Sequence, residues 1–140
     1  MHFKPSLDFS SAKRLLSAAL GAARERGVAV SIAVVDDAGE LLAFSRMDGA
    51  RSYTVELASE KARGAARLGL PTAVLEQLGR KTASGNPWMR GGKPVLRDGQ
   101  CAGAIGVSGA KPEVDEDIVE RALAALDAEG PEDVELVDYR

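Results

Sequence analysis

The stretch Gly91 to Gly109, GGKPVLRDGQCAGAIGVSG, decides how the chain folds. Val95-Leu96-Arg97 and Gln100 to Ser108 read as two strands. Between them Asp98-Gly99 supplies the two positive-φ positions that a two-residue hairpin turn requires. Gly103, Ala104 and Gly106 interrupt the apolar run of the second strand. A glycine inside a strand weakens it unless something approaches the backbone closely, so either a packed helix or a ligand lies against these positions.

Upstream, Ser10 to Arg26 places Leu15, Leu16, Ala19, Leu20 and Ala23 at helical spacing, with Ser10 or Ser11 as N-cap and Gly27 as the stop. Val28 to Asp36 alternates larger Val28, Val30, Ile32 and Val34 with Ala29, Ser31, Ala33 and Val35, a strand covered on both faces. Asp37-Ala38-Gly39 turns the chain into a second strand, Glu40 to Met47. Ser52 then caps a helix to about Leu68, Gly69 breaks it, and Pro71-Thr72 opens a shorter helix to about Lys81. From Lys81 to Gly92 the chain reads as a loop, with Trp88 as its anchor or as part of a binding lid. Beyond the hairpin, Pro112 suits a first helical position, and Glu113 to Ala128 forms a last helix before Gly130-Pro131. Val134 to Val137 has the pattern of a short edge strand. The order α-β-β-α-α-β-β-α implies an antiparallel sheet with helices packed on it, an α/β (α+β) class, in a single domain over residues 1–130 with a tail over 131–140.

Composition narrows the function. A length of 140 residues suits one core. No apolar run approaches the roughly 20 residues that span a bilayer, and Met1 to Ser11 lacks the basic-then-apolar order of a signal peptide, so a cytoplasmic protein without membrane contact is expected. A net charge of −3 removes the general attraction that nucleic-acid binding draws on. The single cysteine, Cys101, is expected in the core. With one near-terminal histidine, His2, there is no zinc constellation and no Ser-His or Cys-His nucleophile. Glu113, Asp115, Glu116 and Asp117 crowd the start of the last helix and would repel a phosphate. Arg80, Lys81, Arg90, Lys93 and Arg97 make the loop region basic, a place for an anionic small ligand.

Two charges stand where the helical pattern calls for apolar side chains. On a wheel of about 100° per residue, Glu56, Ser59, Glu60, Arg63 and Arg67 form the polar arc of the second helix, and Lys61 falls among Leu57, Ala65 and Leu68. In the last helix Asp115 projects between Ala122 and Leu126. Three arrangements satisfy this pattern. Lys61 snorkels while Asp115 serves the helix dipole; or they, or Asp36 and Asp48, form buried pairs; or they line a pocket in which Lys61 grips or protonates a substrate and Asp115 is acid, base or orienter.

Taken together, AVVDDAGELLAFSRMDGA, ASEKA, GGKPV with its DG turn, GAIGVSG and EVDE resemble the GlcG/HbpS-like proteins, including the C-terminal domain of PduO-type proteins, from about Pro5 to about Ala128. One departure is Val114, where that family often carries glutamine. The resemblance implies a profilin-like sheet flanked by helices, homo-oligomers, and binding of haem or related tetrapyrroles. Carried over, the pattern falls on Asp36, Arg46, Asp48, Lys61, Gly92, Pro94, Asp98, Gly99, Gly106, Gly109, Glu113, Asp115 and Glu116. Side chains able to ligate a haem iron include His2, Met47, Tyr53, Met89 and Cys101. The expectation is an oligomeric small-molecule binder for haem or another anionic planar ligand, with Arg46, Asp48, Lys61, Trp88, Arg90, Lys93, Gly106 and Asp115 as ligand contacts. The alternative is an isomerase, hydratase or lyase on a small carboxylate, with Lys61 and Asp115 catalytic.

Overall fold

The computed structural model describes residues 2–129 and 134–139. Four antiparallel strands form the central sheet in the order β3-β2-β5-β4. These are β2 (Ser31–Asp36), β3 (Leu41–Arg46), β4 (Gly92–Arg97) and β5 (Gln100–Ser108). Helices α1 (Phe9–Arg26) and α4 (Pro112–Glu129) pack on each other and on one face, while α2 (Tyr53–Leu68) covers the other and α3 (Thr72–Gln77) follows it. The expected antiparallel α+β architecture is therefore present. Two strands add to the expected order: β1 (His2–Leu7) pairs antiparallel with β6 (Val134–Tyr139) in a separate two-stranded sheet. The lead is thus a strand, and the tail strand extends past Val137. The expected helix stop at Gly130-Pro131 lies outside the described residues.

The two faces of the sheet differ in the size of what they bury. Ile32, Val34, Ile105 and Val107 join Leu15, Ala19, Ile118, Val119 and Leu126 in the larger core under α1 and α4. Ala33, Val35 and Ala104 meet Ala58, Ala62, Ala65 and Ala66 of α2 in a second core built almost wholly of alanine. Small side chains on both partners let the helix lie close to the sheet. At Gly106 the approach leaves no space at all: a Cβ there would come within 2.2 Å of the Ala58 carbonyl oxygen and 2.5 Å of the Ala62 nitrogen. What approaches the interrupted strand is the helix. Gly103, by contrast, sits under Leu7 of β1, whose Cδ1 lies 2.6 Å from the Cβ position.

Asp98 and Gly99 turn the β4–β5 hairpin at φ of 52° and 77°, both positive as the turn demands. Elsewhere element ends move for identifiable reasons. α1 starts at Phe9 because Asp8, not Ser10 or Ser11, is the cap, its carboxylate accepting the Ser11 N–H at 2.7 Å. β2 begins three residues late because the Val28 N–H donates to Ala23 at the end of α1 instead of to a ladder. Ser52 is itself helical (φ −58°, ψ −36°) and makes no side-chain cap bond. α3 ends before Lys81 because Gly79 adopts φ 66° and closes the helix. The segment after it is an ordered loop, with an isolated bridge between Lys81 and Pro87 and Thr82 bonded to Asn86 through its N–H at 2.7 Å. Cys101 is half-buried, not fully in the core, with Sγ against the carbonyl oxygens of Ala66 and Gly103.

Two glycines should respond oppositely to alanine. Gly106→Ala forces α2 off the sheet and should cost about 1–3 kcal/mol or more. Gly21→Ala, in the interior of α1 with open space at its Cβ position, should gain about 0.5–1 kcal/mol. Urea unfolding of the two variants beside the wild type checks both signs.

Candidate functional site

The contact of α2 with β5 carries Lys61 over the end of the sheet. Its ammonium donates to the Val107 carbonyl at 2.8 Å and to Asp115 Oδ2 at 3.4 Å, and its residue is 7% exposed. Asp115 comes from the first turn of α4, is 2% exposed, and accepts the Ala110 N–H on Oδ1 at 3.0 Å. The two charges that broke the helical pattern are therefore a buried pair. Asp36 and Asp48 take no part in it: Asp36 accepts the Ala38 and Glu40 N–H groups in the first turn, and Asp48 is exposed. Gly91, at φ 117°, closes over the pair, since a Cβ there would lie 2.9 Å from Lys61 Nζ and 3.1 Å from Asp115 Cβ. Gly92 is held on the same side, its N–H donating to Thr72 Oγ1 at 3.0 Å. Another hydroxyl pair fixes the start of α2. Thr54 donates to the Arg51 carbonyl at 2.6 Å, so its oxygen is left to accept from Ser31 at 2.8 Å.

The pair also lies in the wall of a cavity of about 460 Å³, so it is at once a buried pair and part of a cavity lining. Tyr53, Leu57 and Glu60 line it from α2, Thr82, Asn86, Trp88 and Met89 from the loop, and Ser108 to Ala110 from the end of β5. Trp88 is anchored as well as available, because its ring packs on Gly64, where a Cβ would come within 2.2 Å of Cη2. Size and lining are those of a small-molecule site: mostly apolar walls with a few convergent polar groups.

Burial lowers the affinity of Lys61 for its proton, against the opposing pull of the Asp115 charge. Burial also pushes the Asp115 carboxyl up to about 6, against the Lys61 charge and the N–H groups of Ala110 and Gly109 that favour its ionised form. Burial thus works against the charged form of both groups, and it brings the Asp115 carboxyl toward the range where proton transfer is useful.

Of the expected ligand contacts, Lys61, Trp88 and Asp115 come together in this cavity. Arg46 is exposed at the end of β3, pairing with Ser31 across the ladder, and Asp48 lies in the turn that follows. Gly106 is beneath α2. The basic region is mostly neutralised by acids from other elements. Arg90 lies between Glu76 and Glu116 at 3.7 and 3.9 Å, Lys93 pairs with Glu120 at 2.8 Å and Glu116 at 3.8 Å, and Arg97 pairs with Asp127 at 2.9 Å. Arg80 and Lys81 remain exposed on the loop that carries Thr82 and Trp88. Among the side chains able to ligate haem iron, Tyr53 and Met89 line the cavity. Met47 packs against the larger core, Cys101 lies outside the lining, and the His2 side chain is outside the described residues. Leu57 and Glu60 were legible as helix faces without being recognised as cavity walls, and the role of Gly91 had only its glycine identity as a signal. No group of three or more His, Cys, Asp or Glu side chains suited to a metal ion occurs among the described residues.

A three-layer α+β domain with one charged pair in the wall of an apolar cavity defines the class: a compact domain with a pocket for a small molecule. The chain belongs to the HbpS-like family, described as haem degrading protein HbpS-like, whose model matches residues 7–124. It is 39% identical over 114 residues to the protein GlcG of Escherichia coli K12, covering 77% of this chain and 85% of GlcG. Among solved structures it resembles HbpS, with a TM-score of 0.76 and 33% identity over 86% of this chain and 90% of HbpS. It resembles the haem complex of PduOC equally well, with a TM-score of 0.76 and 30% identity over 86% of this chain and 94% of that one.

The raised carboxyl fixes a pH dependence. Asp115 binds its proton more tightly in the folded state, so the stability it contributes is complete below the unfolded value of 3.8 and is lost as pH rises through about 6. Asp115→Asn should therefore gain on the wild type in melting temperature between pH 4 and pH 7. A gap that stays constant across that window would show that Asp115 titrates normally.

Proposed function

We propose that this chain is a small-molecule-binding protein whose ligand is haem or a related flat, apolar ring system, and that it works as a homo-oligomer in the cytoplasm. The observation that carries the reading is the cavity, in which the aromatic face of Trp88 and the apolar surfaces of Leu57, Pro87 and Pro112 border a space that also holds Tyr53 and Met89. A phenol and a thioether are both known types of axial ligand for haem iron, so the donor set suits the group. Tyr53 and Met89 would hold the iron, Trp88 and Leu57 would cover the ring, and the exposed Arg80 and Lys81 offer positive charge for peripheral carboxylates. Bound there, haem would supply redox chemistry at its iron. The haem degrading family to which the chain belongs and the haem complex of PduOC support the same ligand.

Self-association is supported by large apolar side chains left exposed, among them Phe3, Phe9, Leu41 and Leu96. No helix among the described residues is long and apolar enough to cross a membrane, and the net charge of −3 gives no general attraction to nucleic acid.

The enzyme reading draws on the Lys61–Asp115 contact inside the cavity. A small carboxylate suits it less well than the sequence suggested, because Glu60 and Asp115 set two carboxyl groups against one ammonium in the lining. Its chemistry is better sought in the pair itself.

Haemin titration followed by absorbance should give a sharp Soret band saturating at about one haem per chain. Tyr53→Phe or Met89→Leu should shift that band and weaken binding about tenfold or more, and Trp88→Ala should weaken it without a comparable shift. A broad spectrum that never saturates, like nonspecific adsorption, would remove haem as the ligand.

A further inference from the structure

We infer that Lys61 is a nucleophile that captures a small, uncharged carbonyl compound in the cavity as an imine, with Asp115 supplying the proton for loss of water. The inference uses the cavity described above and does not depend on haem.

Lys61 meets the structural needs of an imine-forming lysine. It lies in the cavity wall, in contact with the space a ligand would fill, yet its residue is almost wholly removed from solvent. An ammonium has three donors, and the Val107 carbonyl and Asp115 Oδ2 take two. The Val107 contact is short, at 2.8 Å, but a neutral amine keeps N–H donors that can make it, and the carboxylate, the partner that favours the ammonium form most, stands at 3.4 Å, beyond the usual 2.7–2.9 Å of charge-assisted bonds. Desolvated lysines in apolar pockets are the ones that carry free amine near neutral pH and form Schiff bases, and burial shifts Lys61 in that direction. The charged groups facing it are Asp115 from α4, Glu76 from α3 and, on its own helix, Glu60. β5 and the Gly91 segment present only backbone. Burial wins over these carboxylates in setting the direction of the shift.

Asp115 completes the step. The Lys61 lone pair attacks the carbonyl carbon, the C–N bond forms, and a proton passes from nitrogen to the former carbonyl oxygen to give a carbinolamine. Asp115 in its acid form then protonates the hydroxyl, the C–O bond breaks, water leaves, and the nitrogen lone pair closes the C=N bond. Amine, carbonyl and carboxylic acid become iminium, carboxylate and water, so atoms and charge balance. The product is an ion pair where the starting pair stood. With the carboxyl held up to about 6, an appreciable acid fraction exists in mildly acidic solution.

The lining also selects the carbonyl class. Once Lys61 is a neutral nucleophile and Asp115 is in its acid form, the remaining charged group in the wall is Glu60, which opposes an anionic oxo acid, whereas Leu57, Trp88 and Met89 favour an aldehyde or ketone with an apolar body.

The test uses wild-type protein, free of added haem, incubated at pH 6.5 with benzaldehyde and cyanoborohydride, which reduces the iminium to a stable benzylamine. Digestion and mass spectrometry then compare benzylation of Lys61 with that of the exposed Lys81. Lys61 should be modified at least tenfold faster than Lys81, should lose that lead in urea, and should react several-fold slower with pyruvate than with benzaldehyde. Modification of Lys61 no faster than Lys81 would overturn the inference while leaving haem binding, read by its own absorbance, untouched. Faster reaction with pyruvate would overturn the choice of carbonyl class.

Discussion

The close approach of α2 to β5 is the constraint on which the rest of this structure depends. It requires alanine on the helix at positions 58, 62, 65 and 66, alanine at 104, and no side chain at Gly106. A helix resting on larger residues would stand farther from the sheet. Lys61, next to Ala62, could not then reach the Val107 carbonyl at the end of β5. The same approach fixes the height of Gly64, and with it the seat of Trp88. One packing decision thus sets both the floor and the aromatic wall of the cavity.

The buried pair is hard to explain as a stabilising device. Replacing such pairs by apolar residues is often neutral or favourable, because desolvation offsets their attraction. Here burial works against the charged form of both partners, lowering Lys61 and raising Asp115. Their contact is long, and Gly91 closes over them. By contrast, the surface cations are neutralised by ordinary means, with Glu116 and Glu120 of α4 reaching Lys93 and Asp127 reaching Arg97. A pair whose charged forms burial opposes, set in the wall of a ligand-sized space, is what the proposed chemistry rests on, whereas the exposed pairs belong to the surface.

Much of the fold was legible because the signals were local. Asp98-Gly99 announced its turn, Gly106 announced a close neighbour, and the helical period alone exposed Lys61 and Asp115 as misplaced charges. The strands β1 and β6 were harder, since their pairing joins the two ends of the chain and leaves only a faint pattern in either segment. The basic loop was misleading for a related reason: its counter-charges lie on α3 and α4, so a count of nearby sequence could not see them. The site was legible in part. Lys61, Trp88 and Asp115 converge. Arg46 stands at the corresponding end of β3, and no spacing rule in the chain could show that it stops short of the lining. Tyr53 and Met89 could be named as donors from their chemistry, but their convergence required the loop's path.

The account stands on the burial of Asp115 against Lys61, and the most direct measurement is a pH titration of the Asp115 side-chain carboxyl carbon by NMR. The account predicts a midpoint near 6, with a resonance that also moves when a ligand fills the cavity. A midpoint in the ordinary carboxylate range, with no response to ligand, would mean that the pair is solvated and remote from the site, and would contradict the account.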